Sequence, residues 1–219
     1  MSIKDLRIIL ELKYPMTIDT IFSRLKEQYP PGKFGLRDPF RVLIATVLSQ
    51  RTRDEVTDRA TEKLFAKYCT CSALASADSK DIEELIREVG FYRIKAPRVK
   101  EISRMIDNDF KGKVPADMES LLLLPGVGRK TANCVLVYGF GMDAVAVDTH
   151  VHRISNRLGL VRTGTPEETE TELRRVLPKR HWKNINELFV RFGQDICRPI
   201  GPKCSLCPIS DICPWKKNK

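Results

Sequence analysis

Apolar positions along the chain recur mostly with helical spacing. Ile3, Leu6, Ile9 and Leu10, then Ile18, Ile21, Phe22 and Leu25, fall three and four apart, and Tyr29-Pro-Pro-Gly32 closes that segment. Asp38-Pro39 reads as a cap followed by proline in the first helical position, opening an apolar helix from Phe40 to Leu48. Further helices are predicted from near Thr52 to Tyr68, from Asp81 to Val89 with a stop at Gly90, and from Ala96 to Ile106 with a stop near Asn108. Lys111 to Pro115 forms a turn. Thr165-Pro-Glu-Glu168 matches a capping box, and Pro178 ends that helix. Cys134-Val-Leu-Val-Tyr138 and Ala144-Val-Ala-Val147 could pair as a β-hairpin across Gly139 to Asp143. The glycine turn upstream, and the dilution of the β-branched run by Thr131, Ala132 and Asn133, favour a helix from Arg129 to Tyr138 instead. The pattern contains no internal repeat.

Composition places the chain among ordinary globular proteins. Its 219 residues are 42% hydrophobic and 30% charged, which excludes wholesale disorder and fibrous repeats. No apolar run approaches the ~18 residues of a membrane helix, and the charged opening Met1-Ser-Ile-Lys-Asp-Leu-Arg7 lacks a signal peptide's apolar stretch, so a cytoplasmic protein is expected. The net charge is +10, and from residue 171 onward eleven basic residues face only Glu172, Glu187, Asp195 and Asp211. That asymmetry, with a pI near 9.3, is the electrostatic footprint of a nucleic-acid binder, against the blander reading of a solvated basic tail.

Leu121-Leu-Leu-Leu-Pro-Gly-Val-Gly-Arg-Lys-Thr-Ala132 is the first segment that carries chemistry. A short apolar helix ends at Pro125, Gly126 and Gly128 permit a tight turn, and a second helix opens at Arg129. Amides from Gly126 to Lys130 would then face outward at a helix N-terminus, where about half a positive charge cradles a phosphate oxygen. A P-loop needs glycine directly before its lysine, and Arg129 stands there. A plain helix-helix turn explains the glycines but not the adjacent Arg129-Lys130.

Seven cysteines is an odd number, and four of them crowd together as Cys197-x6-Cys204-x2-Cys207-x5-Cys213. Without a secretory signal this argues for a metal site over a disulfide framework. One C-x2-C pair between two single cysteines favours a [4Fe-4S] cluster over a four-cysteine zinc site. Cys69, Cys71 and Cys134 read as small buried hydrophobes. His150 and His152 lie two apart on different helix faces, so a shared metal is not expected, and His150 reads as a structural hydrogen-bonding residue.

From about Asp38 to Trp215 the chain resembles endonuclease III, a base-excision-repair glycosylase family of the helix-hairpin-helix superfamily. Leu124-Pro-Gly-Val-Gly-Arg-Lys-Thr-Ala132, Val147-Asp-Thr-His150 and the four-cysteine loop occur in the family's order. The resemblance implies an all-α fold. It would comprise a helical barrel of residues 32–142, with the helix-hairpin-helix at about 119–138, and a second lobe of residues 1–31 and 143–219. The second lobe would hold a [4Fe-4S] cluster on Cys197, Cys204, Cys207 and Cys213. DNA would lie in the cleft between them. Lys130 is then the nucleophile and Asp148 its partner. Gly126, Val127, Gly128 and Arg129 would grip DNA, and Phe91 would be a wedge. An ungapped match sets Arg51 where the family often has glutamine, with Gln50 one place earlier, so the residue that fills the vacated base position is one of these two.

The chemistry makes sense of both catalytic assignments. Base removal leaves positive charge at sugar C1′, which a carboxylate stabilises, and an amine attacking C1′ forms a Schiff base that permits β-elimination. Only about one lysine in 2,500 is neutral at pH 7 when its pKa is the ordinary value of about 10.4. Arg129 and the positive helix end favour the neutral amine, whereas Asp148 favours the charged one. Without the family, Asp148 reads as the N-cap of a helix through Val151 to Leu158, and Phe91 reads equally as a core aromatic.

The expected function is a bifunctional glycosylase and AP lyase. It would act as a monomer on oxidised pyrimidines or abasic sites in double-stranded DNA, with no membrane partner. The alternatives are an adenine, uracil or thymine mismatch glycosylase of the same superfamily, or a non-catalytic DNA-docking module. Lys130, and the carboxylate-free run from Val42 to Gln50, speak against them.

Overall fold

A computed structural model of the chain describes residues 15–30, 32 and 37–217. The predicted Ile3, Leu6, Ile9 and Leu10 periodicity lies outside them. The described residues form helices and connecting turns with no strand, as the patterning predicts. In chain order the helices are α1 (Pro15–Gln28), α2 (Pro39–Ser49), α3 (Asp54–Lys67), α4 (Cys71–Ser76), α5 (Ser79–Leu85) and α6 (Tyr92–Asp109). They continue with α7 (Met118–Leu122), α8 (Arg129–Cys134), α9 (Thr149–Arg157), α10 (Pro166–Val176), α11 (Trp182–Asp195) and α12 (Pro214–Lys217). None is long and apolar enough to cross a membrane. The chain divides into two compact units, Gly35–Ala146 and the combination of Met1–Phe34 with Val147–Lys219.

In the unit from Gly35 to Ala146, Asp38 begins α2 by accepting a hydrogen bond from the Arg41 amide at 2.8 Å, with Pro39 in the first turn. Phe40, Leu43, Ile44, Val47 and Leu48 of α2 join Leu64 of α3 and Val99, Ile102 and Ile106 of α6 in the core. Each such side chain contributes about 1.5–3 kcal/mol on full burial. Two boundaries differ from expectation. α5 ends at Leu85 and passes to Gly90 through turns, and α6 starts at Tyr92 instead of Ala96. Pro97 therefore lies inside α6. It and Arg93, whose carbonyl loses a partner to it, are both exposed, so water can replace the missing bond.

The helix after the glycine turn forms as preferred over the hairpin, but it widens into a π turn at Val135–Gly139. A Cβ on Gly139 would come within 3.0 Å of Pro39 Cα, so the widened turn ends on a glycine where two backbones nearly touch.

The other unit is organised around aromatic packing. Phe22 of α1 stacks on His181 at 4.0 Å and on Phe189 of α11 at 5.8 Å between ring centroids. α9 and α11 approach closely at Gly193, where a Cβ would lie 2.4 Å from His150 Nδ1. His150 also lies 3.1 Å from Arg153 Nη2, the structural role expected of it. The Thr165–Glu168 capping box opens α10 as read from the sequence.

Candidate active site and cluster loop

The glycine hairpin forms between α7 and α8. Asp117 caps α7 by accepting from the Ser120 amide at 2.8 Å, and Val127 N donates to the Leu124 carbonyl to close the turn. Gly126 holds φ of +73°, left-handed backbone that favours glycine, and the Arg98 side chain lies over it where a Cβ would stand. Gly128 differs from expectation. Its φ of −96° and ψ of 177° are extended backbone open to any residue, and nothing lies within 4 Å of where its Cβ would stand. The chain's own packing does not need that glycine, whereas a ligand approaching the backbone would. Val127 is buried and its amide is spent closing the turn, so it anchors the hairpin and does not offer the outward donor expected of it. Arg129 is exposed and Lys130 half-buried in the first turn of α8.

Two segments of the same unit, the turn after α2 and the start of α6, meet beside this hairpin. Gln50 Nε2 donates to the Gly126 carbonyl at 3.0 Å, which engages the Gln50 side chain. Arg51 follows at φ +53° and is exposed, with its guanidinium 5.5 Å from the centroid of the Phe91 ring. Phe91 is 56% exposed, so the alternative of a core aromatic is overturned. A residue the sequence reading passed over stands behind them. Lys95 is buried, and its ammonium reaches the turn that carries Gln50 and Thr52. Burial, with help from the Arg98 charge, pulls its pKa down to about 8.

Asp148 belongs to the other unit. Its Oδ1 accepts from the Val151 amide at 2.8 Å, so it caps α9. His152 Nδ1 bonds Thr169 Oγ1 at 2.6 Å and ties α9 to α10.

Also in that unit, Cys197, Cys204, Cys207 and Cys213 line a single cavity together with Phe192, Ile196, Ile209 and Trp215. No disulfide is formed, although no three potential ligands among the described residues stand close enough to hold a single ion. Burial pushes the Cys207 thiol up to about 11, with smaller contributions in the same direction from the other three cysteines. Four thiols around one apolar cavity suit a polynuclear cluster. Arg157 adds a cation, donating to Cys197 Sγ at 3.4 Å and to the Arg198 carbonyl at 2.7 Å while stacking on Trp215. Of the remaining cysteines, Cys71 and Cys134 are buried as expected, but Cys69 is exposed.

Comparison with known proteins matches residues 44–179 to the HhH-GPD superfamily of base excision DNA repair proteins. Endonuclease III of Thermotoga maritima is 55% identical over 182 residues, covering 83% of this chain and 85% of that protein. The chain belongs to the endonuclease III family. It is an enzyme of base-excision repair, a DNA glycosylase and AP lyase. Endonuclease III of Bacillus subtilis is 36% identical, with 90% of this chain and 91% of that one covered. Among solved structures, a trapped endonuclease III–DNA covalent intermediate superposes with a TM-score of 0.84 at 35% identity, covering 93% of this chain and 97% of that one. A thermostable thymine-DNA glycosylase reaches the same TM-score at 26% identity, covering 96% and 100%.

Proposed function

We propose that this enzyme removes oxidised pyrimidines from double-stranded DNA and cleaves the abasic site it creates, with Lys130 as nucleophile. The hairpin carries the reading. Lys130 stands in the first turn of α8, two residues from a glycine whose Cβ direction is open, so backbone amides can meet a phosphate beside the amine. The relative caught as a covalent intermediate with DNA supports a covalent route.

In this mechanism the neutral Lys130 amine forms a bond to C1′ as the glycosidic C–N bond breaks, and the base departs with its electron pair and takes up a proton. The Asp148 carboxylate stabilises the positive charge that develops on the sugar. Ring opening then gives the Schiff base, and loss of a C2′ proton expels the 3′ phosphate. Backbone amides of Gly126, Gly128 and Arg129 hold the DNA backbone, the Val127 amide being spent on the Leu124 carbonyl, and Phe91 wedges the stack. Arg51 fills the vacated position, since the Gln50 side chain is engaged at Gly126. Cys197, Cys204, Cys207 and Cys213 hold a [4Fe-4S] cluster, which when bound cross-links the loop from 197 to 213.

Duplexes carrying one oxidised pyrimidine or one thymine–guanine mismatch, incubated with borohydride, test the reading. The oxidised duplex should become covalently joined to the protein, and Lys130→Gln should abolish the adduct while retaining DNA binding. Release of thymine without any adduct would favour the thymine-DNA glycosylase reading, which the structural likeness to that enzyme keeps in play.

A further inference from the structure

Lys95 is a buried lysine on the stripe of α6 that otherwise carries Ala96, Val99, Ile102 and Ile106. Its Nζ donates to the Leu48 carbonyl at 2.7 Å, to the Gln50 carbonyl, and to Thr52 Oγ1 at 3.1 Å. Three N–H bonds thus meet three oxygens. Two of these are carbonyls at the end of α2, where a helix presents unpaired acceptors and partial negative charge. An apolar residue would fill the same stripe without the cost of burying a charge, so packing alone does not account for the amine.

The network extends in both directions. Thr52 Oγ1 also accepts from the Gly90 amide at 3.2 Å, and Gln50 reaches the hairpin at Gly126. Arg51 sits between two residues that Lys95 holds, and Phe91 directly follows Gly90. Both are in left-handed backbone that side chains rarely adopt, and such conformations persist only where the surroundings over-determine them. A Cβ on Gly90 would lie 2.7 Å from the Arg51 carbonyl, which shows how tightly the two turns are pressed together.

We infer that Lys95 is a positioning residue whose ammonium locks the turn from Leu48 to Thr52 in the form that presents Arg51 beside Phe91 to the duplex. This rests on the proposed parts of Arg51 and Phe91 in filling and wedging the displaced-base position. Lys95 itself does not touch DNA and is not a second nucleophile, because its amine is buried and its donors are engaged.

The test compares release of an oxidised pyrimidine with cleavage of a preformed abasic site, where no base has to leave the stack. Lys95→Met keeps the aliphatic stem, and is expected to slow base release about tenfold or more while abasic-site cleavage stays within about threefold. Arg51→Ala should slow the wild-type enzyme but add little to Lys95→Met, because both act through one turn. Equal loss of the two activities in step with a lower melting temperature would overturn the inference, as would unchanged base release or effects that multiply. Should Lys95→Met fail to fold, Thr52→Val removes one acceptor and should show the same split on a smaller scale, and a uniform loss there overturns the inference too. Wild-type enzyme that releases no oxidised base overturns the proposed function and this inference with it. Normal wild-type release with no split in either variant overturns this inference alone.

Discussion

Arg51 and Phe91 both occupy left-handed backbone, at φ of 53° and 58°, and the guanidinium of the first lies over the ring of the second at 5.5 Å. Such residues cost about 1–3 kcal/mol each, more than the roughly 0.5–1 kcal/mol that an exposed cation–π contact returns. The pair is therefore held in place by its surroundings and is suited to action outside the protein. Phe91→Gly relieves the backbone and forfeits little burial, because the ring is 56% exposed. Its unfolding free energy should stay within about 1 kcal/mol of wild type, whereas truncating a core aromatic costs about 3–5 kcal/mol. Release of an oxidised base should fall about tenfold or more as the wedge is lost. Denaturant melts and single-turnover excision on the same preparation check both halves.

Acid should weaken the unit that contains α1 and α11. His181 Nε2 lies 2.6 Å from Asp19 Oδ1, while the buried Nδ1 has no hydrogen-bond partner. Neutral imidazole donating from Nε2 satisfies this geometry, whereas a second proton on Nδ1 would be stranded. Burial outweighs the attraction of Asp19 and holds His181 below its ordinary pKa of 6.5. The unfolded chain thus takes up the proton more readily, so stability is full above about pH 6.5 and declines as pH falls below it. Asp19, held below its ordinary range by hydrogen bonds from Arg180 and His181, adds a further loss below about pH 3.8. The melting temperature should fall between pH 7 and 5.5 by about 2–4 °C for each kcal/mol lost, and His181→Phe should flatten that slope. An unchanged slope in the variant would place the acid sensitivity elsewhere.

Much of this architecture is legible along the chain because its signals are local. Asp38, Thr165 and Asp148 each cap a helix within three residues of themselves, and the structure contains all three caps. What escapes local reading depends on tertiary contact. The pattern starts this helix at Ala96, yet α6 begins four residues earlier, directly after Phe91 in a left-handed conformation no pattern announces. That displaced start hid Lys95, whose spacing from Val99, Ile102 and Ile106 puts it on the buried stripe. A lysine in such a stripe was the available signal. Likewise, the two hairpin glycines look equivalent in sequence, and only the folded backbone shows that Gly126 answers to its left-handed φ while Gly128, in extended backbone with open space beside it, answers to nothing in the protein.

The cluster assignment predicts composition and stability together. Protein purified without oxygen should be yellow-brown and carry about four irons and four labile sulfides per chain. Cys204→Ser should lose iron and lower the melting temperature, since the loop from 197 to 213 contains little regular structure besides a short turn at Cys204–Leu206. Iron and acid-labile sulfide analysis decides the matter, and stoichiometric zinc without sulfide would replace the cluster by a zinc site.

Asp148 is a cap in the structure and a proposed catalytic carboxylate, and one substitution separates the two. Asparagine accepts the Val151 amide about as well as aspartate, so Asp148→Asn should leave stability within about 0.5 kcal/mol of wild type. It removes the negative charge that would stabilise the developing cation at C1′, and losses of about 10²–10³ in base release are typical when such an electrostatic partner is removed. Cleavage of a preformed abasic site requires no departure of a base and should fall by less. Asp148→Ala adds the opposite control, since it loses cap and charge together and should lower stability by about 1 kcal/mol as well. Excision that survives in Asp148→Asn but drops in Asp148→Ala, in step with stability, would leave this aspartate as a cap alone.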